Sequence, residues 1–233
     1  MNQLSKRIVL AFFLIAEAIL YYFILTAGGQ TLVATSYASI VLCFLFALQG
    51  LKTVPWIVAG LACTVGADFC LVICNPIQQL WGMAFFMGAQ AFYAVHLHQK
   101  RPNKVLLLIR ILLSIGAEIV TVLILKGNVD ALAMVSVGYY ANLIMNFVVA
   151  CTQWKTGKLL PIAFLLFILC DTIIGLQVAS TGYLPIAEGS WLHNLIFSGF
   201  NTAWMFYLPS QVLIALSCIE RGDANGCKNT ISE

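Results

Sequence analysis

Charge is what this chain has least of. Its 233 residues include twelve Lys and Arg and nine Asp and Glu, 9% in all, against about 25% in an ordinary soluble domain. So few charges do not solvate the surface of a 25.5 kDa soluble protein, and a mean hydropathy of +0.95 excludes a disordered chain. Most of the polypeptide is therefore solvated by lipid. Prolines number six. Pro161 and Pro209 lie near span ends, and no Gly/Pro pair interrupts an apolar run at mid-depth, so a discontinuous transporter helix has no signal here. The runs are continuously apolar over about twenty residues rather than alternating, which argues against a β-barrel.

Apolar runs between polar breaks place spans at 8–26, 31–49, 54–74, 79–97, 104–126, 130–152, 158–179 and 195–218. A hydrocarbon core about 30 Å thick needs about 20 apolar residues per helix, so eight spans consume about 160 residues and leave only short loops. The reading is an all-α integral membrane protein of eight transmembrane helices. It forms one domain over 1–218, followed by a short polar cytoplasmic tail over 219–233. The first span, preceded by Lys6 and Arg7, is too long for a signal peptide and contains Glu17.

Lys and Arg fix the orientation. Lys6, Arg7, Lys52, Lys100, Arg101, Lys104, Lys155, Lys158, Arg221 and Lys228 fall on one side and Lys126 alone on the other, which makes both termini cytoplasmic. Arg110 lies one to two turns into the fifth span, close enough to that side to snorkel. Trp56 and Trp154 fit the inner interface, Trp81 and Trp191 the outer. A net charge of +3 thus reflects topology and gives no nucleic-acid surface. The eight cysteines are scattered without a CxxC pair and read as small apolar residues. His96 and His98, at a helix end, make a weak case for a metal, and none is expected.

Four acids stand inside spans one, three, five and seven: Glu17, Asp68, Glu118 and Asp171. Each costs roughly 2.5 to 3.5 kcal/mol at mid-bilayer, so such residues face the bundle interior or a water-filled cavity. With a rise of 1.5 Å per residue, Asp68, Glu118 and Asp171 lie roughly 20 Å from the cytoplasmic edge and Glu17 about 14 Å from it. A proton shared among carboxylates is the expected state. Gln90, Asn142, Asn146, Asn201, Tyr207 and Gln211 in the remaining spans are candidates to line the same cavity, although amides also serve as interhelical glue. Ala16-Glu17 and Ala117-Glu118, Asp68 and Asp171, and Phe86-Met-Gly-Ala-Gln90 and Phe197-Ser-Gly-Phe-Asn201 recur at an offset near one hundred. That spacing suggests two parallel four-helix repeats.

Lys52-x-x-Pro55, Gly66-Ala67-Asp68-x-x-Leu71 and Phe86-x-x-Ala89-Gln90-x-x-Tyr93, followed by Phe164-Leu-Leu-Phe167-Ile-Leu-Cys170-Asp171 and Tyr207-x-x-x-Gln211, together resemble the YhhN family. The lysoplasmalogenases belong to that family. Its pattern has histidine where Gln90 stands and serine where Cys170 stands. The resemblance implies hydrolysis of the vinyl ether bond of a lysophospholipid by water, without metal or organic cofactor. Asp68 and Asp171 would be the acid and base, in an order the residues leave open. Glu118, Gln90, Tyr93, Asn142, Tyr207 and Gln211 would bind substrate or tune the pair. The implied setting is a multi-pass membrane protein, of the cell membrane if the source is bacterial. The acids by themselves fit a proton-relaying transporter equally well. Oligomeric state is not legible.

Overall fold

The computed structural model describes residues 3–100, 102–124, 129–180, 186–197 and 201–229. Arg101, Lys126, the break at Gly127-Asn128, Tyr183, the Ser198 to Phe200 part of the repeat and the chain end beyond Asn229 lie outside those residues. The described residues are mostly helical, without a strand. The helices are α1 (Gln3–Thr26), α2 (Gly29–Ala47), α3 (Pro55–Asp68), α4 (Gln79–Lys100), α5 (Lys104–Ile124), α6 (Ala131–Thr152), α7 (Leu159–Ser180), α8 (Trp191–Ile196) and α9 (Thr202–Asn229).

Local chemistry sets the ends. Gly29, at φ +60°, turns α1 into α2 within two residues, a conformation that other residues rarely adopt. Pro55 opens α3, where its missing N–H costs nothing. The Asn103 carboxamide caps α5 by accepting from the Val105 and Leu106 N–H groups, and Asp130 caps α6 by accepting from Ala133 N–H.

Seven of these helical segments are long and apolar enough to cross a membrane: α1, α2, α3 with its continuation to Ile73, α5, α6, α7 and α9 as far as Ile219. The chain is thus a multi-pass membrane protein. The eighth long helix, α4, has the length, with 22 residues. It carries Gln79, Gln90, His96, His98 and Gln99, which leave it less apolar than the other seven.

Helix α4 packs on α3 and α6, α7 on α9 and α6, and α2 on α1, α3 and α9. Helix α5 touches mainly α6 and buries none of its own residues, so its Leu and Ile faces point outward. Tyr93 on α4 is 1% exposed and packs against Phe164 of α7, with ring centroids 5.6 Å apart. Its ring fills the space where a side chain at Gly60 of α3 would begin. Tyr93 thus locks α3, α4 and α7 together through its ring.

The structure corrects two expectations. The last span does not start at 195: α8 ends at Ile196, and α9 begins at Thr202. The Ser190 hydroxyl accepts from His193 N–H and gives the six-residue α8 its own start, which a continuous apolar run conceals. Pro209 lies inside α9 rather than near its end. Helix α3 also loosens directly after Asp68, without Gly or Pro. Residues Phe69–Ile73 form a π turn in which Cys74 N–H reaches the Phe69 carbonyl at 3.0 Å.

Candidate active site

Asp68 ends α3, is 3% exposed, and accepts a hydrogen bond of 2.7 Å from the Tyr207 hydroxyl of α9. Asp171 on α7 is half-buried and accepts from the Tyr139 hydroxyl of α6. The two tyrosines that hold them pack on the same two rings, Phe86 and Phe167, which brings both carboxyls to one part of the bundle. Cys170, which precedes Asp171, is buried. Each carboxyl group thus has one phenolic donor from a different helix, and the pair draws on α3, α6, α7 and α9.

Aromatic packing holds those donors. The Phe167 ring lies 5.3 Å from Tyr207 and 6.4 Å from Tyr139, and the Phe86 ring lies 5.6 Å from Tyr139 and 6.2 Å from Tyr207. Most of these contacts are edge-to-face or tilted, the arrangement ring quadrupoles favour. Trp204 adds a further edge contact to Tyr207 at 5.1 Å. The result is an aromatic floor from which both hydroxyls reach a carboxyl. A π turn at Asp68 fits this role, because such turns re-aim a side chain and recur at functional sites.

The other acids lie elsewhere. Glu17 is 4% exposed at the α1–α2 seam, where it accepts from the Ser39 hydroxyl at 2.6 Å and the Cys43 thiol at 3.3 Å. It is satisfied there and does not join a four-acid cavity. Glu118 sits on α5 against Gly138 of α6, with no hydrogen bond to either aspartate among the described residues. Asn201 donates to the Ile24 carbonyl at 2.9 Å, closing the end of α1 rather than lining a site.

A second polar group lies along α6. Asn146 donates to the Gln90 side-chain oxygen at 2.8 Å and to its backbone carbonyl at 2.9 Å. Gln90 is fully buried, and its amide nitrogen has no partner among the described residues. Asn142 donates to the Gly138 carbonyl. Arg110 does not snorkel. Its guanidinium forks inward onto the carboxamide oxygens of Asn142 at 2.9 Å and Asn146 at 2.7 Å, because these amides offer acceptors within reach of α5. Gln211 on α9 is buried and donates to Ser210 at 3.1 Å. No cluster of three metal-ligating side chains occurs among the described residues.

Of the candidate residues, the structure brings Asp68, Asp171 and Tyr207 together and gathers Gln90 with Asn142. Tyr93, Glu118 and Gln211 make no hydrogen bond to either group among the described residues. The sequence reading missed Tyr139, and it had Phe86 and Phe167 only as motif residues without a place in the site. A signal for Tyr139 existed: a tyrosine at mid-span, away from the interfacial belts, needs a buried partner for its hydroxyl.

Fold and site together define a helical, multi-pass membrane protein built around two tyrosine-held carboxyls. The chain belongs to the YhhN family, whose profile matches residues 30–218. No curated protein and no solved structure matches it significantly.

Proposed function

We propose that the protein is a membrane-embedded hydrolase that cleaves the vinyl ether bond of lysoplasmalogens, releasing a fatty aldehyde and a glycerophospho base. Some members of the family are hydrolases. The observation that carries the reading is the pair itself: two carboxyls, each held by one tyrosine hydroxyl, with both tyrosines packed on Phe86 and Phe167, in a bundle solvated by lipid.

Vinyl ether cleavage begins with protonation of the β-carbon, which leaves an oxocarbenium ion at the carbon bonded to oxygen. A neutral carboxylic acid supplies that proton, and its ionised neighbour stabilises the cation and then takes a proton from the attacking water. The hemiacetal so formed expels the glycerol oxygen, which regains a proton, and the chain leaves as aldehyde. Proton donor and acceptor are both regenerated, so two carboxyls and water balance the reaction. Tyr139 and Tyr207 keep the carboxyls in place. In this reading α4 is an eighth span, kept inside the bundle by α3 and α6, and the end bearing Lys52, Lys100, Lys104 and Lys155 faces the cytoplasm.

The test is turnover of a lyso-alkenyl phospholipid in D2O by the purified protein. The proposal expects aldehyde with one deuterium on the carbon next to the carbonyl. Absence of aldehyde from folded protein, with both choline and ethanolamine head groups tried, overturns it.

A further inference from the structure

Helices α4 and α5 follow one another after only three residues, yet both pack on α6 rather than on each other. The crevice left between them holds a cavity of about 230 Å³, walled by Ala94 and Val95 of α4 and by Leu106 and Leu107 of α5, with Val149 of α6 behind them. That volume is below the about 300–1,000 Å³ of a pocket that encloses a whole small ligand. Val95 and Leu107 are exposed at its edges, so it opens onto the lipid around the bundle. An occupant therefore puts one part of itself here and leaves the rest in the bilayer.

Polar groups enter this apolar crevice at two levels. At the mouth stand His98 and Asn103, with exposed Lys100 and Lys104 where α4 ends and α5 begins. The Asn103 oxygen is occupied in capping α5, which leaves its amide nitrogen as a donor. Arg110 comes six residues after Lys104, about 9 Å further along the axis. Its guanidinium spends two of its five N–H donors on the neutral oxygens of Asn142 and Asn146. No Asp or Glu occurs between Asp68 and Glu118 or between Asp130 and Asp171, the stretches that supply every lining residue. The crevice thus has a cationic mouth, an apolar wall and a fixed cation deeper in, with no acid of its own.

Those levels match the end of a phospholipid. Each interfacial layer of a bilayer is about 5–8 Å thick, so with Lys100 and Lys104 at the depth of the phosphate, Arg110 stands at the edge of the hydrocarbon, where the ester carbonyls of a diacyl lipid lie. The chains then run along Val95, Leu106 and Leu107. Basic pockets between transmembrane helices select anionic head groups in this way. Such a lipid also has a task, since α5 buries none of its own residues and is otherwise held mainly from the α6 side.

We propose that the α4–α5 crevice is a binding site for one anionic diacyl phospholipid of the leaflet at the lysine-rich end. Lys100 and Lys104 take its head-group phosphate, Arg110 takes its ester carbonyls, and the lipid wedges α5 against α4. The site is separate from the carboxyl pair and does not depend on the hydrolase reading.

The test is lipid retention by the purified full-length protein, stripped in uncharged detergent and read by native mass spectrometry after adding back dioleoylphosphatidylglycerol or dioleoylphosphatidylcholine. The wild type should retain the anionic lipid about tenfold better. Lys100→Gln with Lys104→Gln should bring that preference to within twofold. Lys52→Gln with Lys158→Gln removes as many exposed charges at the same end of the bundle, away from the cavity lining, and should leave the preference intact. Arg110→Gln should weaken both lipids at least threefold, because the carbonyls are common to both. Ala94→Leu fills the cavity without removing a hydrogen bond and should do the same, which covers the case in which Arg110→Gln does not fold. Equal loss of preference in the two double variants overturns the proposal, since the attraction is then diffuse. Unchanged retention in Ala94→Leu and in folded Arg110→Gln overturns it too. Competition by glycerophosphoglycerol, the same head group without chains, as effective as that by the lipid also overturns it and makes the ligand a soluble anion.

Discussion

Replacing Tyr207 with Phe removes one oxygen from a bundle otherwise unchanged. The ring keeps Phe167 at 5.3 Å, Trp204 at 5.1 Å and Phe86 at 6.2 Å, while Asp68 loses the hydroxyl that donates to it at 2.7 Å. A hydrogen bond to a buried polar or charged group is worth about 1–3 kcal/mol. If that bond orients a carboxyl acting in the transition state, the loss falls on kcat and amounts to roughly 5- to 150-fold, at 1.36 kcal/mol per decade. The assay is steady-state aldehyde release from a lyso-alkenyl phospholipid in mixed micelles, with kcat and KM separated. Tyr139→Phe makes the same cut at Asp171 and should give a loss of the same order. A kcat within twofold of wild type for both variants would refute the idea that the tyrosines position the carboxyls. A rise in KM alone would make them substrate contacts.

Other perturbations separate the proposed reacting acids from the structural ones. Glu17→Gln leaves one amide oxygen facing two donors, Ser39 and Cys43. It should cost about 1–3 kcal/mol of stability, read as a lower melting temperature in detergent, and less activity than either Asp→Asn change; equal activity loss would place Glu17 in the catalytic set. Gln90→His restores an imidazole at the position where the family pattern carries one and can still accept from Asn146, so activity should stay at or above wild type, and a collapse in turnover would refute that correspondence. Gly60→Ala pushes a methyl into the Tyr93 ring and should destabilise by roughly 1–3 kcal/mol through overpacking, seen as early thermal aggregation; an unchanged melting temperature would show that α3 and α4 separate freely there.

Apolar runs made the helices legible, since spans hydrophobic all round are written in composition. Asp68 and Asp171 were legible because a carboxyl inside a span is expensive enough to need a reason. Rotation about the helix axis was not. A span without a polar face carries no phase, so nothing in the sequence turned Tyr139 toward Asp171 or Arg110 toward Asn142 and Asn146. Hydropathy likewise ran on from Trp191 through Tyr207 across the break between α8 and α9. The π turn at Asp68 is a matter of backbone hydrogen bonding, and no Gly or Pro in Phe69–Ile73 marks it. Glu17 looked like Asp68 in sequence because Ser39 and Cys43, its partners, lie on another helix at separations that no local pattern encodes.

The central claim is that Asp68 and Asp171 together carry out ether hydrolysis. Aldehyde release from a lyso-alkenyl phospholipid by purified wild type, Asp68→Asn and Asp171→Asn proteins tests it most directly, with monodispersity in detergent recorded for each. The account predicts turnover by the wild type and its loss from both variants, with folding nearly intact. Turnover surviving in either folded variant, or absent from the wild type, would contradict it.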